Sequence, residues 1–217
     1  MRILAIGNNS QLVELKSKFG DLHTYQLVET GKEAKKHLMN TDIVFDFSPS
    51  ADDMIMYSEF KNPVFINSVF SSLSVFISHF NNDQTDLIFG FYGLPTLINR
   101  SVLEVTVGSK KNEDRLKHIC SQLETDFVCV EDRVGGVTAR VICMIINEAY
   151  YTLEEGIANR ADIDMAMKLG TNYPYGPFEW AQRIGIGYLI KLLDALYQDT
   201  HDDRYKVCDL LRSDLRI

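Results

Sequence analysis

Arg2-Ile3-Leu4-Ala5-Ile6-Gly7-Asn8-Asn9-Ser10-Gln11-Leu12 opens the chain with a short apolar run, a glycine and the beginning of a helical pattern. Such a run reads as a strand, and Leu12, Val13, Leu15 and Phe19 fall on one face of the helix Ser10–Phe19 that follows. The alternation recurs downstream. Tyr25–Val28, Ile43–Phe47, Val64–Ile66, Leu87–Phe91 and Val102–Val107 are strand candidates, with helices expected over Gly31–Met39, Ala51–Phe60 and Ser71–Phe80. Short apolar strands joined by helices imply a mainly parallel sheet covered on both faces. Ligands bind such sheets beyond the carboxyl ends of the strands, where the strand order reverses. Gly7–Ser10, Glu29, Ser48–Ser50, Asn67–Ser72 and Phe91–Pro95 are therefore expected to line one crevice.

A chain of 217 residues can form one large domain or two modest ones around a real core. A net charge of −8 argues against a nucleic acid or an anionic membrane as the partner. No apolar run reaches the length of a membrane span, and no basic-then-apolar leader precedes the first strand, so a cytoplasmic protein is expected. Cys120, Cys129, Cys143 and Cys208 are scattered without a CxxC pair, which reads as free thiols in a reducing compartment. His23, His37, His79, His118 and His201 do not cluster into a metal site, and none is expected.

The first turn can be tested against the chemistry of a dinucleotide site. That site needs G-x-G-x-x-G, so that backbone can approach a pyrophosphate and the helix can pack on the strand. Here only Gly7 is in place. Asn9 tolerates left-handed dihedrals, but Leu12 stands where the third glycine belongs. Glu29 is placed to accept a ribose hydroxyl. Gly7, Asn9, Ser10, Glu29 and Ser48 are thus the candidate cofactor residues, against an ordinary strand-to-helix turn that binds no nucleotide.

After a charged helix (Lys111–Glu124) and a strand-like Phe127–Val130, the pattern changes at Glu131-Asp132-Arg133, which divides the chain into residues 1–131 and 132–217. From Val137 one helix runs to near Gly156, with Val141, Met144, Ile145 and Glu148 at three-and-four spacing. Ala161–Leu169 is a shorter helix with Asn159 or Asp162 as cap. The loop Gly170–Pro177 enters another at Phe178, and Ile186–Tyr197 and Arg204–Leu211 complete the unit. A helical unit this small and apolar would gain from burying a face against its own copy.

Glu148-Ala149, Glu154-Glu155-Gly156, the run Asp162-Ile163-Asp164-Met165-Ala166-Met167-Lys168-Leu169-Gly170 and the loop Tyr173-Pro174-Tyr175-Gly176-Pro177-Phe178-Glu179 together resemble the C-terminal domain of 3-hydroxyacyl-CoA dehydrogenases. Upstream, Asp42–Asp46 with Ser48-Pro49, Asn67-Ser68 with Ser71-Ser72-Leu73, and Val102-Leu103-Glu104-Val105 resemble that family's third strand, serine-rich turn and Leu-Val-Glu-Val strand. The resemblance implies a truncated Rossmann-like α/β domain followed by an all-α domain. It also implies hydride transfer to NAD from a 3-hydroxyacyl-CoA, and a homodimer formed through the helices.

The family's reaction uses a histidine as base, a glutamate that orients it, and serine and asparagine side chains that hold substrate. By the resemblance Glu104 matches the glutamate and Ser71 the serine. The histidine of the His-Phe-Phe-Asn-Pro motif falls on Tyr92, or on Phe91 if the proline is aligned, and that motif's asparagine falls on Leu94 or Pro95. The asparagine of the Gly-Phe-x-x-Asn-Arg motif falls on Ala139 of Gly135-Gly136-Val137-Thr138-Ala139-Arg140. Between Glu29 and Asp42 the chain is too short for the helical hairpin that contributes to CoA binding in the family.

Histidine serves as a base because its pKa lies near neutrality, whereas about one tyrosine in a thousand is ionised at pH 7. A carboxylate beside Tyr92 would disfavour its ionisation further. Loss of a general base costs about a hundred- to ten-thousandfold in rate. The resemblance therefore points to a family member with lost or strongly reduced dehydrogenase activity and weak or absent NAD binding. The other readings are an oxidoreductase with rearranged site residues, a dimeric binding or regulatory protein for an acyl-CoA or other small molecule, and a different reaction using Tyr92, Glu104 or Ser71. For Glu104 the plain alternative is a hydrogen bond to Tyr92 or a backbone donor; for Ser71 it is an N-cap of the helix after it.

Overall fold

A computed structural model describes residues 1–80 and 85–215 and divides them into two compact units, Met1–Gly136 and Val137–Ile217. In the first unit, β1 (Arg2–Ile6), α1 (Asn9–Phe19), β2 (Thr24–Val28), α2 (Gly31–Ala34), β3 (Ile43–Asp46), α3 (Ala51–Glu59), β4 (Val64–Asn67), α4 (Leu73–Ile77), β5 (Ile88–Phe91), β6 (Val102–Val107), α5 (Glu113–Gln122) and β7 (Asp126–Cys129) follow one another. The sheet order is β2-β1-β3-β4-β5-β6-β7, every pair parallel except β5–β6. The chain leaves β1 for β2 on one side and returns to β3 on the other, so the order reverses between β1 and β3. That is the α/β architecture expected from the alternating pattern.

Strands buried on both faces carry apolar side chains at every position, and β3, β4 and β5 are buried throughout. Phe45, Phe65 and Phe89 stand in register on three adjacent strands, with Phe45 and Phe65 stacked at 4.8 Å between ring centroids. They form one core with Leu12, Leu15 and Phe19 of α1 and Leu116 and Ile119 of α5. On the opposite face Leu4, Ile6, Val44 and Ile66 pack with Met54, Tyr57 and Leu73.

Two helices are shorter than their sequence pattern. Gly31–Met39 resolves into α2 and a single 3-10 turn at Leu38–Asn40, and Ser71–Phe80 into the five residues of α4. The cap of α4 is Ser72, not Ser71, and its side chain makes no capping bond. Asp132 does that work from 59 residues away, accepting from Leu73 N at 2.6 Å and from Ser74 N at 2.8 Å. With Gly135 N donating to Val69 O at 3.0 Å, Asp132–Gly136 is held on the sheet domain, and the first unit ends at Gly136, beyond the expected residue 131.

The second unit contains α6 (Thr138–Glu154), α7 (Arg160–Thr171), α8 (Pro177–Ile184), α9 (Ile186–Thr200) and α10 (Asp209–Asp214). Asn159 caps α7, accepting from Asp162 N at 3.0 Å. Asp164 reaches from α7 to the first turn of α8 and accepts from Phe178 N at 2.8 Å and Glu179 N at 3.1 Å. The expected helix Arg204–Leu211 is broken into a 3-10 turn, Asp203–Tyr205, and α10. The buried Asn147 explains the break: its carboxamide donates to Lys206 O at 2.8 Å and accepts from Cys208 N at 3.0 Å, two groups a continuous helix would have used itself. Among the described residues no helix is long and apolar enough to cross a membrane.

Candidate functional site

The carboxyl ends of β1 to β5 carry the loops that the sequence assigns to the crevice. At the end of β1, Asn8 is the N-cap of α1 and forms a reciprocal pair with Gln11. Asn8 N donates to Gln11 Oε1 at 2.8 Å, Gln11 N donates to Asn8 Oδ1 at 3.1 Å, and Ser10 Oγ donates to the same Oδ1 at 2.6 Å. Gln11 is buried, and its amide lies where a side chain on Gly7 would go: a Cβ there would meet Gln11 Oε1 at 2.2 Å. Asn9 and Ser10 are exposed on the first turn, and Leu12 belongs to the core.

At the end of β5 the two residues that the resemblance offers for the histidine position lie in different surroundings. Phe91 is part of the strand and packs edge-on against Phe45 and Phe47 in the core. Tyr92 follows the strand, is buried, and its hydroxyl donates to Glu131 O at 3.4 Å. Its ring lies on Gly136: a Cβ there would come within 2.8–2.9 Å of three ring carbons, and Gly136 has φ +54°, a left-handed conformation that also favours glycine. Asn67 ties the neighbouring strand ends together, its Nδ2 donating to Phe47 O and Gly93 O (3.3 Å each) and its Oδ1 accepting from Gly93 N at 3.0 Å. Further along, Glu14 of α1 accepts from Thr96 N at 2.8 Å and anchors the loop into β6.

Glu104 is buried on β6 and pairs with Arg100 at 3.2 Å, a partner that the sequence reading did not consider. Ser71 is half-buried in the turn before α4, without the capping role assigned to it. Ala139 is buried in the first turn of α6, presenting a methyl where the resemblance expects a carboxamide.

Glu29 and Ser48 are brought together in a groove of about 730 Å³ between α2 and α3, with Lys32, Lys35, Ser50 and Met56 also in its walls. Its lining stops short of Tyr92, Glu104 and Ser71. Beneath it lies Asp46, fully buried, accepting from Tyr57 OH at 2.8 Å and from Ser48 N at 3.0 Å. Burial pushes its carboxyl up to about 7 against the pull of these two donors, and the nearby Asp53 adds to the rise. Sequence reading missed Gln11, Asp46, Tyr57 and Arg100. Gln11 had a usable signal, because Asn8-x-x-Gln11 has the spacing of a capping box.

Two outcomes follow from this geometry. The folded state holds the Asp46 proton up to about pH 7 while the unfolded chain releases it near the ordinary aspartate value of about 3.9, so stability falls as pH rises across that window and levels off above it. Urea midpoints at pH 5 and pH 8 should therefore show Asp46→Asn gaining on the native chain at the higher pH, by roughly a few kcal/mol at most. Gly136→Ala should cost about 2 kcal/mol or more, from left-handed strain plus the clash with Tyr92, and only about 1 kcal/mol in a Tyr92→Ala background, where the strain alone remains. Additive urea midpoints in that double-mutant cycle would rule out the coupling.

Comparison with known proteins bears on both units. The family model described as 3-hydroxyacyl-CoA dehydrogenase, C-terminal domain, matches residues 135–215. The 3-hydroxyadipyl-CoA dehydrogenase of Escherichia coli is 43% identical over 83 residues, 38% of this chain and 18% of that one. The 3-hydroxybutyryl-CoA dehydrogenase of Bradyrhizobium diazoefficiens is 29% identical over 154 residues, 70% and 53% of the two chains, so the matches account for only part of either relative. Among solved structures, the (S)-3-hydroxybutyryl-CoA dehydrogenase of Ralstonia eutropha superposes with a TM-score of 0.75 at 18% identity, covering 98% of this chain and 92% of that one. The fold is thus shared over nearly the full length, with a Rossmann-like sheet domain followed by helices. Residues 135–215 thus match the 3-hydroxyacyl-CoA dehydrogenase C-terminal domain by sequence, and the whole chain shares the fold of a solved 3-hydroxybutyryl-CoA dehydrogenase.

Proposed function

We propose that this family member has lost, or strongly reduced, the dehydrogenase activity of its relatives and acts as a dimeric binding protein for an acyl-CoA or another small molecule in the cytoplasm. The environment of Tyr92 carries the proposal. A general base must offer a lone pair to the substrate hydroxyl and release the proton afterwards. Tyr92 instead donates its own proton to Glu131 O while its ring is packed against Gly136. Glu104, at the position of the orienting glutamate, is engaged by Arg100, and Ala139 removes a substrate hydrogen bond.

The family is NAD-dependent, yet the residues at the first turn do not fit the cofactor. The pyrophosphate of a dinucleotide needs open backbone donors and open space at the glycine turn. Here two of those donors are taken by Asn8 and Gln11, and the space holds the Gln11 amide. Weak or absent NAD binding belongs to the same proposal.

Dimerisation through the helical unit is supported by α7, of which only Ile163 is buried within the protomer while Met165 and Leu169, one turn apart, are 59% and 80% exposed. Four free thiols accord with a reducing compartment.

The activity is tested by following NADH absorbance with acetoacetyl-CoA. No turnover above background is expected, and Tyr92→Phe should change nothing; a rate that Tyr92→Phe abolishes would overturn the proposal. Thermal shifts with NAD, NADP, CoA and acyl-CoA are expected to favour an acyl-CoA over the nucleotides. Light scattering should place the chain at twice its own mass, and Met165→Glu with Leu169→Glu should return it to a monomer.

A further inference from the structure

The first helix has kept the electrostatics of an anion site while filling its space. The leading N–H groups of a helix lack intrahelical partners, and the backbone dipoles make that end positive, which is why phosphates settle there. In α1 the first turn carries no acidic side chain to neutralise that potential. Two neutral carboxamides take the place of anionic oxygens. Gln11 Oε1 accepts from Asn8 N at 2.8 Å, and Asn8 Oδ1 accepts from Gln11 N at 3.1 Å.

Position is as telling as bonding. Gly7 is the first glycine of the dinucleotide pattern, the one that makes the tight turn, and here the chain's own side chain lies against it. A Cβ on Gly7 would meet Gln11 Oε1 at 2.2 Å and Gln11 Cδ at 3.3 Å, so the amide lies in the vacancy left by the missing side chain. Gln11 is 4% exposed, so its amide is held inside the turn.

We infer that Gln11 is the specificity-determining residue of this turn: its side chain is a built-in occupant of the pyrophosphate position and excludes a dinucleotide. The inference rests on the reading that the chain has given up NAD chemistry, and it assigns that loss at the cofactor turn to one residue. The glycine pattern itself is broken at Asn9, which is exposed on the first turn, and at Leu12, which packs into the core under α1, so neither side chain fills the space beside Gly7.

Removing the carboxamide should reopen the site, because the positive helix end and Gly7 remain. NADH and ADP-ribose, which carries the pyrophosphate without nicotinamide, are titrated against the native chain, Gln11→Ala and Gln11→Ser, with circular dichroism confirming that each variant is folded. Both ligands should bind the variants at least tenfold more tightly than the native chain, and adenosine, which has no phosphate, should show no gain. Gln11→Glu, which keeps the cap and adds a negative charge, should bind no better than the native chain. If folded Gln11→Ala and Gln11→Ser show no gain, Gln11 is a helix cap and nothing more, and the inference falls while the proposal of lost catalysis stands. If the native chain binds NADH as tightly as the variants, the inference also falls. Turnover of acetoacetyl-CoA by the native chain is the separate result that would remove the functional proposal beneath it.

Discussion

Steric exclusion at two glycines shapes the crevice end of the sheet domain. A glycine beside a ligand site ordinarily leaves room for the ligand. In this chain the room at Gly7 is taken by Gln11 and the room at Gly136 by Tyr92. Each occupant also satisfies backbone: Gln11 accepts from Asn8 N, and Tyr92 donates to Glu131 O. Both turns thus pair part of their backbone with side chains of the chain itself.

The same economy of polar groups runs through the rest of the structure. A parallel sheet ends in carbonyls and amides that its own ladder cannot pair, and buried groups of this kind must find partners. Asn67 supplies them across β3, β4 and β5, and Asp132 supplies them to α4. In the helical unit Asp164 and Asn147 do the same for α8 and for the segment before α10. Asp46 is the exception, because its two donors do not offset its burial and its carboxyl stays protonated to near neutrality.

Much of the site was legible as departures from a pattern. The missing glycines after Gly7, the absent histidine near Tyr92 and the methyl of Ala139 could each be read by position, because a motif fixes which side chain its chemistry needs. What replaced the lost groups was not legible. The Tyr92–Glu131 and Arg100–Glu104 contacts depend on where loops return in space. Nothing in the local pattern distinguished Phe91, which the strand packs against Phe45 and Phe47, from Tyr92, which lies one residue past the strand and packs on Gly136.

By itself the sequence determined the layers and the kinship of the helical half. Apolar runs of strand length alternate with helical spacing, and that periodicity is a local property of the chain, as is the Tyr-Pro-x-Gly-Pro-Phe-Glu loop of the helical half. Only the tertiary structure decided that residues 132–136 belong with the sheet, that α4 is capped by Asp132 and not by Ser71, and that the cofactor turn is filled by Gln11. Those outcomes turn on which side chains reach the same volume or the same backbone donor, and separation along the chain carries no record of that.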